Sequence, residues 1–165
     1  LTTFIISDEV KQVIDDWVVK YPPNQKRSAV LTALLKVQEQ NEGWLSESAM
    51  DAVAEYLGLS AIEVYEVATF YDMFELKPIG KYKISVCTNL SCMLRGSDEI
   101  VSALTKRLGI GLGETTKDHL FTLREVECMA ACGMAPMCQI NNREYYEYLT
   151  PEKIISIIDE LEQKG

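Results

Sequence analysis

The chain has 165 residues, 47% of them hydrophobic, and a formal net charge of −9 at pH 7. That is enough apolar material for one compact core or two small ones, and it speaks against wholesale disorder. The acidic balance excludes a nucleic-acid binder, which needs basic patches, and a partner as anionic as a membrane surface.

The first seventy residues carry helical periodicity. Ser7 is placed to cap a helix whose stripe is Val10, Val13, Ile14, Trp17 and Val18. "YPPN" (21–24) ends it, because proline lacks an amide donor and restricts its predecessor. A second helix is predicted from about Arg27 to Gln40, with Val30, Leu34 and Val37 on one stripe and Ala33 beside it. "NEGW" (41–44) breaks it. Ser46 caps a third helix bearing Met50, Val53, Ala54 and Leu57, and Gly58 stops it. Ser60 and Glu63 have capping-box spacing for a fourth, carrying Val64, Tyr65 and Ala68.

The period then switches. "KYKISV" (81–86) alternates, with Tyr82, Ile84 and Val86 on one face and Lys81, Lys83 and Ser85 on the other. Helical spacing returns over 97–108 through Ile100, Val101, Leu104 and Leu108. "GIGLGE" (109–114) follows a helix rather than a strand, so it reads as a helix end and turn, not a phosphate cradle. "LFTLREV" (120–126), "MCQI" (137–140) and "EYYEY" (144–148) read as strands, the last two joined by "NNR". Thr150 and Pro151 open a final helix with Ile154, Ile155, Ile157, Ile158 and Leu161. A helix between the first two strands suits a right-handed parallel crossover, and the last two suit an antiparallel hairpin. That mixed order is thioredoxin-like. The expected fold class is α+β: a helical bundle over 1–77, then a domain over 78–165 with a mixed four-stranded sheet and flanking helices.

No apolar run approaches the roughly 18 residues that span a bilayer. The start, "LTTFIISDEV", has neither the basic region nor the long apolar core of a secretory signal, although a chain beginning with Leu leaves room for a short removed leader. Five cysteines in such a chain read as ligands or buried thiols rather than a disulfide framework. Cys87 and Cys92 are separated by four residues, and Cys128 and Cys132 by three. Each pair starts where a predicted strand ends, so neighbouring strands would deliver four thiols to one edge. Zinc takes four thiolates as a tetrahedron. A 2Fe–2S cluster takes four as two pairs. A C-x-x-C redox pair is absent. Spacing leaves zinc and iron–sulfur close together; the flanking Met93, Met129, Met134 and Met137 favour iron–sulfur modestly, as a shell limiting solvent. Cys138 lies inside a predicted strand and reads as a small buried apolar residue.

The blocks "SAVLTALLKVQ" (28–38), "VYEVATFYDMF" (64–74), "GKYKISVCTNLSCMLRGSD" (80–98), "LGIGLGETT" (108–116) and "ECMAACGMAPM" (127–137) resemble the thioredoxin-like 2Fe–2S subunit of NADH:quinone oxidoreductase, respiratory complex I. The resemblance covers nearly the whole chain and lifts iron–sulfur well above zinc. It implies one 2Fe–2S cluster with Cys87, Cys92, Cys128 and Cys132 as its metal ligands, and no catalytic residue here. FMN and NADH would belong to the partner flavoprotein subunit, with other peripheral-arm subunits as further partners and no insertion into the membrane. The chain would be a redox subunit of a translocase, incomplete as an enzyme alone. It would sit at the cytoplasmic face of a bacterial inner membrane, or on the matrix side of the mitochondrial one. The alternatives are the equivalent diaphorase subunit of an NAD-linked hydrogenase or formate dehydrogenase and, from another class, a structural zinc-binding interaction module. Many members have glycine where Ala130 stands, and an aliphatic residue where Cys138 stands.

Overall fold

A computed structural model describes residues 4–164. The chain divides into two compact units, Leu1–Pro78 and Ile79–Gly165. The first contains α1 (Asp8–Val18), α2 (Val30–Gln40), α3 (Glu47–Leu57) and α4 (Ala61–Phe70), with a 3-10 turn at Lys26–Ala29 leading into α2. Local signals start and stop these helices. The Ser7 hydroxyl accepts from the Val10 amide and the Ser46 hydroxyl from the Ala49 amide, each satisfying an orphan donor of a first turn. Glu63 reaches back to accept from the Ser60 amide, completing the capping box. Gly58 ends α3 at a φ of 67°, a left-handed conformation that costs glycine little.

Ile14, Val30, Ala33, Leu34, Val37, Leu45, Val53, Leu57 and Val64 form the core of this unit. Gln38 is buried with them, and both of its side-chain polar atoms are bonded. Its side-chain oxygen accepts from the Glu75 amide at 2.8 Å and its nitrogen donates to the Met73 carbonyl at 3.2 Å. The segment after α4 is thereby tied to α2. Trp17 departs from expectation: it remains 37% exposed, with the Lys20 ammonium 3.8 Å from its ring centroid. Ile14 takes the core position, and the indole lies at the surface where it can face a cation.

The second unit contains β1 (Tyr82–Cys87), α5 (Leu90–Met93), α6 (Ser97–Leu108), β2 (Phe121–Val126), β3 (Cys138–Ile140), β4 (Glu144–Tyr146) and α7 (Pro151–Lys164). The sheet order is β2-β1-β3-β4. β1 and β2 are parallel, in register from Tyr82 with Phe121 to Cys87 with Val126, as the intervening helix requires. β3 runs antiparallel to both β1 and β4. Ile84, Val86, Phe121, Leu123, Cys138 and Ile140 share a core with Ile100 and Leu104 of α6 and Ile154 and Ile158 of α7. Gly80 lets the strand's approach run tight against β2: a Cβ there would lie 2.8 Å from the Phe121 backbone.

The alternation of β1 predicted a half-exposed strand. Instead Lys83 and Ser85 are buried as completely as their apolar neighbours, along with Thr122 of β2. β1 is an interior strand, and both of its faces are covered. Among the described residues, no helix is long and apolar enough to cross a membrane.

Candidate metal centre

The parallel pairing of β1 with β2 decides where the thiols go. Cys87 is the last residue of β1 and sits opposite Val126, the last of β2. Beyond β1 the chain turns through Asn89, whose side-chain oxygen accepts from the Leu90 amide and caps α5, and that single turn carries Cys92. Beyond β2 the chain enters the loop holding Cys128 and Cys132. Both pairs therefore leave the same end of two neighbouring strands.

The two pairs occupy different environments. Cys87 and Cys92 are buried, in a small cluster with Ala135 and Met137 against which Val126, Met129 and Ala131 pack. Cys128 and Cys132 are exposed. Burial pushes the Cys92 thiol up to about 11, helped by its hydrogen bond with Cys87 and the nearby Cys132, and opposed by a hydrogen bond from the Met137 backbone. The Cys87 thiol donates to the Glu127 carbonyl at 3.7 Å, which brings the first pair against the residue preceding Cys128. Cys128 Sγ accepts from the Ala130 amide at 3.3 Å. Cys92 and Cys128 thus each receive a backbone N–H.

Among the described residues, no group of three or more His, Cys, Asp or Glu side chains is drawn together as a site for one metal ion. The thiols stand as a buried pair with two further thiols on an adjoining loop. A thiol-only donor set delivered two by two suits a group that takes its thiolates in pairs. At neutral pH the raised Cys92 thiol is protonated, so a bound metal would have to displace its proton.

The surroundings are less closed than the methionine-rich sequence suggested. Met137 and Met129 pack against the buried pair. Met93, however, is 44% exposed, with Leu90 and Leu94 more exposed still. The Arg124 guanidinium donates to the Gly113 carbonyl at 3.3 Å. Cys138 lies in β3, fully buried, with its thiol pushed up to about 12 by that burial. Two features had little or no signature in the sequence. The Met137 amide acts through the fold alone. The α5 turn was announced only by Asn89, an N-cap residue immediately before "LSCM".

Ala130 adopts a φ of 59°. This is the left-handed conformation that glycine takes readily and alanine does not.

A model of the thioredoxin-like [2Fe-2S] ferredoxin family matches residues 14–162. A subunit of the NADH-quinone oxidoreductase of Rickettsia conorii is 49% identical over 162 residues, which cover 98% of this chain and 96% of that protein. The corresponding subunit from Rickettsia felis is 50% identical over 159 residues, covering 96% and 95%. Among solved structures, an NAD+-reducing [NiFe]-hydrogenase in the air-oxidized state superposes with a TM-score of 0.68 at 22% identity. That match takes in 79% of this chain but only 23% of the hydrogenase chain, and it is a likeness of fold.

Proposed function

Because the chain belongs to the thioredoxin-like [2Fe-2S] ferredoxin family, we propose that it is an electron-transfer subunit of an NADH:quinone oxidoreductase, with one 2Fe–2S cluster held by Cys87, Cys92, Cys128 and Cys132. The observation that carries the ligand assignment is the delivery of two cysteine pairs to one end of the parallel strands β1 and β2. The parent complex is argued from relatives about half identical over nearly their whole length, which bear that name. The hydrogenase likeness, at 22% identity, speaks to fold and does not compete with them.

When bound, such a cluster supplies a one-electron acceptor and donor. The residues of this chain do the rest. Cys87 and Cys92 would hold one side of it from the apolar cluster that they form with Met137 and Ala135. The Ala130 and Met137 amides point hydrogen bonds at ligand sulfurs, favouring the more negative, reduced state. Cys128 and Cys132 keep the other side open. The exposed Leu90, Met93 and Leu94 offer an apolar surface on the short helix that carries Cys92. The partner on that surface is the flavoprotein subunit that binds FMN and NADH. In the helical unit, Ile62 and Phe70 on α4 are 62% and 78% exposed, and they give the same partner a second foothold.

The ligand set is tested by replacing the five cysteines one at a time. Cys87→Ala, Cys92→Ala, Cys128→Ala and Cys132→Ala are each expected to lose the visible absorption of the cluster and its bound iron and sulfide. Cys138→Val is expected to keep them. A Cys138→Val protein without a cluster, or a full cluster in any of the other four, would overturn the assignment.

A further inference from the structure

Ser97 opens α6, and its hydroxyl is the buried side-chain oxygen or nitrogen that, among the described residues, finds no hydrogen-bond partner. Its residue is 0% exposed. A buried hydroxyl without a partner is costly, and native structures seldom keep one without a reason. Alanine would serve this helix position better if nothing were to be bonded there.

Its place in the fold shows what could be bonded. Ser97, Ile100, Val101 and Leu104 share one stripe of α6 by helical spacing. Ile100 and Leu104 of that stripe pack in the same core as Ile84 and Val86 of β1, so the stripe faces the sheet. α6 is the crossover between two parallel strands, and so runs back against their direction. Its first residue therefore lies at the end of the sheet where β1 finishes at Cys87. The chain reaches Ser97 directly from Cys92: α5 ends at Met93, the Arg95 amide donates to the Cys92 carbonyl at 3.1 Å, and Gly96 turns at a φ of 97°. The Cys92 and Met93 carbonyls of that turn already accept from the Arg95 and Gly96 amides. The Cys92 sulfur is already present and does not bond the Ser97 hydroxyl; the acceptors that a loaded site adds are inorganic sulfides.

We infer that Ser97 is a tuning residue whose hydroxyl donates a hydrogen bond to an inorganic sulfide of the cluster. The inference rests on the cluster assignment above. A donor to sulfur stabilises the reduced form, so Ser97 raises the reduction potential. Without the cluster, the hydroxyl is idle.

The test compares wild type, Ser97→Ala and Ser97→Thr, each purified anaerobically with its cluster. An EPR-monitored redox titration should give Ser97→Ala a lower potential than wild type, at the same iron and sulfide content, and Ser97→Thr should restore it. Pulsed EPR in H2O against D2O should show one exchangeable proton coupled to the reduced wild-type cluster that Ser97→Ala lacks. This coupling is read on wild type directly, whatever the variants' stability. An unchanged potential with unchanged proton couplings in Ser97→Ala would overturn the inference. So would a drop in melting temperature with no change in potential, since that marks a purely structural serine. Wild type that purifies without iron and sulfide defeats the cluster assignment itself, and is recognised before any variant is compared.

Discussion

Ala130 holds a left-handed backbone between two proposed ligands, at a cost of roughly 1 kcal/mol that glycine avoids. The loop keeps that conformation because the Ala130 amide is then aimed at Cys128 Sγ. Ala130→Gly is expected to stabilise the protein by at most about 0.5 kcal/mol, most of the relief of strain being offset by a freer unfolded chain. A urea melt reads it as a higher midpoint at unchanged slope; a lower midpoint would contradict the strain. Cys138 makes the opposite case, a thiol used as a hydrocarbon. Its folded pKa of about 12 stands above the ordinary value of 9.0. A raised acid stabilises the fold fully below about pH 9, and that contribution fades as pH climbs towards about 12. Cys138→Val should therefore lose less stability across that window than wild type does. The slope becomes shallower rather than flat, because Tyr65 and Tyr146 are also pushed up to about 12. Equal slopes in the two proteins, measured by urea melts across that range, would show that Cys138 is not protected as described.

At the scale of elements, the helices were legible because their signals are local. Ser7, Ser46, Ser60 with Glu63, and Gly58 each act within one turn, so a sequence contains both partners. The strand β1 was legible as a strand but not as an interior one. Its neighbours on both sides come from residues 121–126 and 138–140, and nothing in "KYKISV" says that Lys83 will be covered. The clasp between α6 and α7 is another long-range contact that no spacing rule reveals. Arg107 donates through Nε and Nη2 to Asp159 Oδ1, at 3.2 and 2.8 Å, and through Nη2 to Glu162 at 2.6 Å. One guanidinium bridging two carboxylates is more constrained than a simple surface pair, but all three side chains remain partly solvated. Arg107→Ala is expected to cost about 1 kcal/mol at low ionic strength and less in high salt, because screening weakens the wild-type pair. Thermal melts at two salt concentrations check this; a cost independent of salt would assign the effect to packing of the arginine stem instead.

At the scale of the whole molecule, the cysteine count and spacing singled out two pairs of thiols as candidate ligands, but not how they would be housed. Cys87 is buried as the last residue of an interior strand, Cys92 is buried on α5 by packing with Ala135 and Met137, and Cys128 and Cys132 are exposed on a loop. Those are tertiary facts, beyond the reach of spacing. The same holds for Ser97, which reads in sequence as an ordinary helix opener and acquires its meaning only when its hydroxyl is found buried without a partner. The choice between zinc and iron–sulfur was close on spacing alone; what separates them is membership of the family. The central claim, that this chain carries a 2Fe–2S cluster, is tested most directly by anaerobic purification followed by iron, sulfide and zinc analysis and EPR after reduction. The account predicts a brown protein with iron and sulfide each near two per chain and a rhombic signal from the reduced cluster. A colourless protein containing zinc and no sulfide would contradict it.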